Sequence, residues 1–251
     1  MIPDFEHMAS LDEETHTYTS LADPGLRLTS VSQVIKSFSR PFDEETKAGE
    51  YARKHRVKKL DVLRQWSEKR DAAASRGTLV HAEAERIANG LRVDVVVQST
   101  FWDGQEENYI NAVYKFYREN IEVGLSGPVS ELRVCWPEYL IAGTVDLVCA
   151  YNGGLFVFDW KTSEKIDWFG YGDNMYAPFN RFPDSNFWRY ALQLSLYQLI
   201  LKRVCNFSTD GLGIIWLKKT GEYEVKFVRP IAEDILIKGL RKHVRNMEKA
   251  S

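Results

Sequence analysis

Asp146 and, thirteen residues on, Asp159-Trp160-Lys161 are the side chains whose types and spacing best suit chemistry. They lie in two short apolar runs, Ile141 to Val148 and Leu155 to Lys161, joined by Tyr151-Asn152-Gly153-Gly154. Runs of that length around such a turn predict a β-hairpin. Side chains alternate along a strand, so Asp159 and Lys161 point one way, Trp160 the other, and pairing through the turn brings Asp146 alongside. Two carboxylates and an ammonium at the end of an apolar hairpin are costly to half-bury without a use. A divalent ion supplies one. Hard oxygen ligands suit Mg²⁺ or Mn²⁺, and such an ion lowers the pKa of its water and neutralises charge developing on phosphorus. A neighbouring lysine orients or deprotonates that water, or stabilises the charged transition state. The chemistry is then metal-assisted phosphodiester hydrolysis. The plainer alternative is a self-satisfied Asp–Lys ion pair, since D-x-K is a common tripeptide.

Other elements must position this trio. Arg76 to Ile87 holds strong helix formers and no proline, which predicts a helix with His81 and Glu85 on one face. Taken alone, that is an ordinary surface pair. From Tyr190 to Leu201, apolar residues at 192, 196, 199 and 200 form a helical stripe, and Gln193 and Tyr197 form another i, i+4 pair. Glu131 falls in the strand-like Val129 to Val134, where it either reaches the site or lies on a solvated strand edge.

In order, Gly77…His81…Glu85, Gly143…Asp146, Asp159-Trp160-Lys161 and Gln193…Tyr197 resemble the motifs of the PD-(D/E)XK nuclease superfamily, and within it the RecB-like exonuclease branch. The resemblance covers about residues 77 to 230, with Val145 where the superfamily name has proline. It implies a restriction-endonuclease-like α/β core, a mixed central β-sheet flanked by helices in αβββαβ order. It also implies Mg²⁺ or Mn²⁺ as cofactor, ligated by Asp146, Asp159, His81 and the Trp160 backbone carbonyl. Lys161 would act on the attacking water or the scissile phosphate, with Gln193 and Tyr197 bracing it and contacting DNA. Glu85 and Glu131 would stand behind the ligands.

Composition is compatible with that reading. The chain has 251 residues, 44% hydrophobic and 27% charged, enough for one compact domain. The division expected is an N-terminal strand and helical elaboration over 1–76 and a nuclease core over 77–251. No apolar run approaches membrane-span length. The acidic start (Asp4, Glu6, Asp12, Glu13, Glu14) has no apolar signal core, so a cytoplasmic setting is expected. Cys135, Cys149 and Cys205 are isolated, and three cysteines are too few for the four-cysteine iron–sulfur cluster of some RecB-like relatives.

A net charge of −2 gives no global attraction to a polyanion, so DNA contact must be local. The best patch runs from Lys47 to Arg70 and includes Arg53, Lys54, Arg56, Lys58 and Lys59. It reads either as a helical wall along the DNA path or as a solvated face. Between Ser163 and Trp188 lies a long aperiodic stretch rich in aromatics, including Trp168 and Tyr171. Such rings stack on unpaired bases, or pin the loop to the body. Asp103 to Asn120 reads as a helix, Gly211 to Leu217 and Tyr223 to Val228 as strands, and Pro230 as the start of a last helix to about Glu248. Thr17 to Ile35 mixes strand signal with a helix start at Thr29-Ser30. The functional expectation is a DNA exonuclease working in recombination, repair or replication processing, of a kind found free-standing in bacteriophages. A structure- or site-specific endonuclease on the same fold is the alternative, then an inactive DNA-binding module.

Overall fold

A computed structural model describes residues 2, 6–15, 17–92 and 105–250. The first two residues of the predicted Asp103 to Asn120 helix lie outside them. Among the described residues, eight strands form one mixed sheet. The chain runs β1 (Ala9–Asp12), β2 (Thr17–Ser20), β3 (Arg27–Ser30), α1 (Val31–Ser37), α2 (Glu44–His55), α3 (Lys59–Arg92) and α4 (Gln105–Ile121). It continues with β4 (Ser126–Trp136), β5 (Ile141–Tyr151), β6 (Gly154–Lys161), α5 (Asn186–Arg203), β7 (Gly211–Leu217), β8 (Tyr223–Val228) and α6 (Glu233–Ala250). Within this run α3, β4, β5, β6, α5 and β7 supply the expected αβββαβ core.

Local chemistry explains most boundaries. Ser30 caps α1 by accepting from Gln33 N, and Asp43 caps α2 by accepting from Thr46 N. The β5–β6 hairpin closes at Tyr151↔Gly154, and its central Asn152 and Gly153 both have positive φ, 49° and 80°. A two-residue turn of that kind matches strand twist and fixes the register. α3 has no proline and runs unbroken through residues 76 and 77. Pro230 stands before α6 rather than in its first turn, because Ile231 N is engaged by Ser195 Oγ of α5 at 3.1 Å.

The sheet is covered on both sides. Leu192, Leu196 and Ile200 of α5 share one core with Val145, Val157 and Ile214. Val80 of α3 and Phe116 and Tyr117 of α4 share the other with Leu147, Phe158 and Trp160. Strand alternation accordingly sends Trp160 away from its neighbours Asp159 and Lys161.

The feature that makes a site is a split in the sheet. β5 pairs with β6 only from Leu147↔Phe158 to Tyr151↔Gly154, and its opposite end pairs in parallel with β3 at Thr29↔Ile141 and Ser30↔Ala142. β6 instead follows β7, in parallel register as far as Lys161↔Trp216. Asp146 and Asp159 stand at the fork. On the other edge of β5, the β4 ladder steps from Ser130↔Leu147 to Leu132↔Val145, and Glu131 between them has φ +51°. Alternation slips there. Val145 packs in the core under α5, whereas Leu147, two residues on, packs in the core under α4.

Candidate active site

Five side chains from four elements converge on the fork. Asp146 is buried, and its Oδ2 accepts from Trp160 N at 2.9 Å, a backbone donor left without a strand partner where β5 and β6 part. Ser130 Oγ donates to Asp146 O at 2.9 Å and holds the irregular segment from β4. His81 of α3 places Nδ1 3.3 Å from Glu131 Oε1 and 3.7 Å from Asp146 Oδ1. Asp159 is 1% exposed, with Oδ1 accepting from Gln193 Nε2 at 3.0 Å and Oδ2 contacting Lys161 Nζ at 2.6 Å. The Lys161 ammonium also lies 4.9 Å from the centre of the Tyr190 ring.

These contacts set the protonation states. Burial alone would discharge Lys161, but Asp159 and Asp146 outweigh it and hold the ammonium above its usual range. Asp159 is pushed up to about 7 by burial, against the pull of Lys161. His81 is raised to about 9: burial lowers it, and Asp146 together with the Glu131 hydrogen bond more than reverses that.

The donor set fits a divalent cation. One ligand atom each from His81, Glu131 and Asp146 lies within 4.8 Å of the others. Donors on opposite sides of one ion stand roughly 4–5 Å apart, and a mixed carboxylate–imidazole set suits Mg²⁺ or Mn²⁺. The resemblance makes Asp159 a ligand and stands Glu131 behind it; the structure brings Glu131 into the cluster, while Asp159 meets Gln193 through Oδ1 and Lys161 through Oδ2. Glu131 gets there through its left-handed backbone opposite Asp146, which no local pattern announces. Glu85 is not among the donors, because four residues carry it about 6 Å further along α3.

Gln193 and Tyr197 do not brace Lys161 as expected. Gln193 reaches Asp159, and Tyr197 is 4% exposed, packed over Gly143 and therefore not a surface for DNA. A Cβ at Gly143 would lie 2.6 Å from Tyr197 Cε1 and 2.8 Å from its hydroxyl. Gly143→Ala should therefore destabilise the fold by about 1–3 kcal/mol, as overpacking does, lowering Tm in a thermal melt. No motif marks Tyr190 as a site residue, although it lies three residues before Gln193 and hence on the same helix face.

A cleft of about 740 Å³ opens over the site, lined by Lys69, Arg70, Arg76 and Gly77 of α3, His81, and Trp160 to Glu164. The named basic residues sit elsewhere. Arg53, Lys54, Arg56, Lys58 and Lys59 are exposed on the end of α2 and the turn into α3, and Lys59 pairs with Glu45 at 2.5 Å. Lys54 lines a second cavity of about 740 Å³ with Tyr171, Phe42 and Trp66. The aromatic loop between β6 and α5 divides its rings: Phe179 is buried, Trp168 stacks on Phe187 at 3.5 Å, and Tyr171 is 96% exposed. Asp184 pins the loop, accepting from Arg40 N and from Arg189 Nε.

Residues 51–250 match the family model of the PD-(D/E)XK nuclease superfamily. The chain belongs to this superfamily. It is therefore a member of a family of metal-dependent hydrolytic nucleases that act on DNA. No curated protein matches. Among solved structures, the chain is similar to SSO0001, at 11% identity and a TM-score of 0.39 over 87% of this chain and 75% of that one. It is also similar to a protein of Eubacterium rectale described provisionally as an exonuclease, at 13% identity and a TM-score of 0.39 over 88% and 79%. Likenesses this distant leave the assignment to the family match and the geometry. Among the described residues, no helix is long and apolar enough to cross a membrane.

Proposed function

We propose that this nuclease is a DNA exonuclease dependent on Mg²⁺ or Mn²⁺, acting in DNA recombination, repair or replication processing. The observation that carries the reading is the convergence of Asp146, Asp159 and Lys161 with His81 and Glu131 where β5 and β6 part. Exonuclease action, rather than internal cutting, rests on the RecB-like order of the motifs.

His81, Glu131 and Asp146 would hold the divalent ion, with Asp159 and the Trp160 carbonyl as further ligands. A bound ion supplies Lewis-acid polarisation of the phosphate and a water of lowered pKa. Lys161 contributes charge. Its carboxylate neighbours keep it protonated, so it acts as a fixed cation for the phosphorane-like transition state and not as the base. Tyr190 and Asp159 hold that cation in place, and Gln193 fixes Asp159. Water attacks phosphorus in line and releases one proton to solvent, the bond from phosphorus to the 3′-oxygen breaks, that oxygen takes up a proton from solvent, and the product carries a 5′-phosphate. Exposed rings of the β6–α5 loop, Trp168 and Tyr171, and the cations from Arg53 to Lys59 would serve as outer DNA contacts.

Incubation with end-labelled linear DNA and with closed single-stranded circles tests this, in Mg²⁺, Mn²⁺ or EDTA. Linear DNA should be degraded only with metal, and circles should survive. Cut circles would make the enzyme an endonuclease, and no cleavage with either metal would leave a DNA-binding module on a nuclease fold.

A further inference from the structure

Three residues in the wall of the cleft take no part in the metal cluster or in the Asp159–Lys161 pair. The first is Arg76. It lines the cleft from α3, and its guanidinium lies over the Tyr109 ring at 4.8 Å. Its Nε is buried and donates to no protein atom. Stacking of this kind orients a guanidinium while leaving its donor edge available for an anion.

The second is Ser163, two residues beyond Lys161. The residue lines the cleft and its backbone is fixed because its carbonyl accepts from Trp216 Nε1 at 2.7 Å, yet its buried Oγ has no protein partner. The third is Gly77. It sits inside α3, one turn before His81 and on the same face, and an added Cβ there would meet nothing within 4 Å. Glycine inside a helix is unfavourable, and no neighbouring protein atom requires it. Charge agrees in sign: Lys69, Arg70, Arg76 and Lys161 line the cleft with Glu164, and of the four cations Arg70 is paired with Glu44 at 2.9 Å and Lys161 with Asp159 at 2.6 Å.

We propose that Arg76 and Ser163 form a phosphate subsite for the DNA strand, and that Gly77 is glycine so that the strand can lie against the α3 backbone there. Arg76 precedes His81 by five residues, about 7.5 Å along the helix axis. With a rise of roughly 3.4 Å per nucleotide on a stacked strand, that places the held phosphate about two nucleotides from the scissile one, or one if the strand is extended. The subsite rests on the proposed nuclease function, and it would set where the strand stops relative to the metal ligands.

The test measures binding in EDTA of short labelled oligonucleotides, each with one neutral methylphosphonate linkage at a different position. Wild-type protein should show one position where loss of charge weakens binding by about ten- to a hundredfold, the size of a charge-assisted hydrogen bond. Arg76→Met should bind an unmodified strand about that much more weakly and lose the positional dependence. Ser163→Ala should act at the same position by a smaller factor. Gly77→Ala should raise Tm by about 2–4 °C through helix propensity and still weaken DNA binding, a combination that damage to the fold does not produce. Wild-type affinity and unchanged positional dependence in Arg76→Met, or unchanged affinity in Gly77→Ala, overturn the subsite. Because binding is read without cleavage, a protein that shows the positional dependence but cuts nothing refutes the nuclease function alone. One that cuts DNA while Arg76→Met binds normally refutes the subsite alone.

Discussion

Lys161→Ala should lower kcat by about 10²–10⁴, the range lost with a preorganised charge or acid–base group, while the protein remains folded below neutral pH. Lys161 is the cation beside Asp159, at 2.6 Å, and Asp159 is 1% exposed. Removing one member of a buried pair usually costs about 3–5 kcal/mol because a naked charge remains. Here the carboxyl has an escape. Asp159 is already pushed up to about 7, first by burial, and without Lys161 its pKa rises further. A carboxyl with a raised pKa binds protons more tightly in the folded than in the unfolded chain. Stability is then present at low pH and lost as pH rises from the unfolded value through the folded one. Thermal melts should therefore show Lys161→Ala close to wild type near pH 5 and progressively weaker toward pH 8. Cleavage at the wild-type rate by this variant would remove Lys161 from the mechanism, and a loss of stability independent of pH would show that Asp159 does not take up the proton.

Divalent-ion affinity should tighten steeply between pH 6 and 8. His81 is raised to about 9: burial pulls it down, and Asp146 and Glu131 prevail. An imidazolium cannot ligate, so over this whole range binding must expel its proton, worth about tenfold in Kd per pH unit. Asp159, raised to about 7, adds to the slope below neutrality if it also ligates. The dissociation constant for Mn²⁺ should thus fall by at least about a hundredfold from pH 6 to pH 8. Calorimetry in buffers of different ionisation enthalpy should find about one proton released per ion at pH 7.5. In His81→Ala the affinity should be lower and the pH slope shallow. A wild-type affinity that does not change with pH would mean that His81 stays outside the coordination shell.

Much of this was legible in the chain because it depends on local chemistry. The β5–β6 hairpin follows from two apolar runs and an Asn-Gly turn, and a two-residue turn fixes which side chains face each other. Period-2 alternation alone separates Trp160 from Asp159 and Lys161. The i, i+4 rule alone aligns Gly77 with His81 and Gln193 with Tyr197. Motif order sufficed for the superfamily, since each motif lies on one element.

The tertiary structure decided what depends on pairing between distant segments. Whether Asp146 stays in a ladder or stands free at a fork depends on how the edge of β5 is shared: β6 pairs with it only from Leu147 on, and the far end, Ile141 and Ala142, goes to β3, more than a hundred residues earlier in the chain. Glu131 enters the metal cluster only because β4 leaves the ladder at that one residue opposite Asp146 and takes a positive φ, with the register the same on either side, an arrangement set by pairing between distant segments and not by the residue itself. Gln193 holds Asp159 and not Lys161 because α5 crosses the sheet at the height of that carboxylate. The basic run illustrates the same limit: composition marks Lys47 to Arg70 as a patch, but it is the course of α3 that brings only its far end, Lys69 and Arg70, to the cleft together with Arg76, and leaves Arg53 to Lys59 outside its lining. A side chain's face follows from its immediate neighbours in the chain, while its partner follows from how separate elements pack against one another.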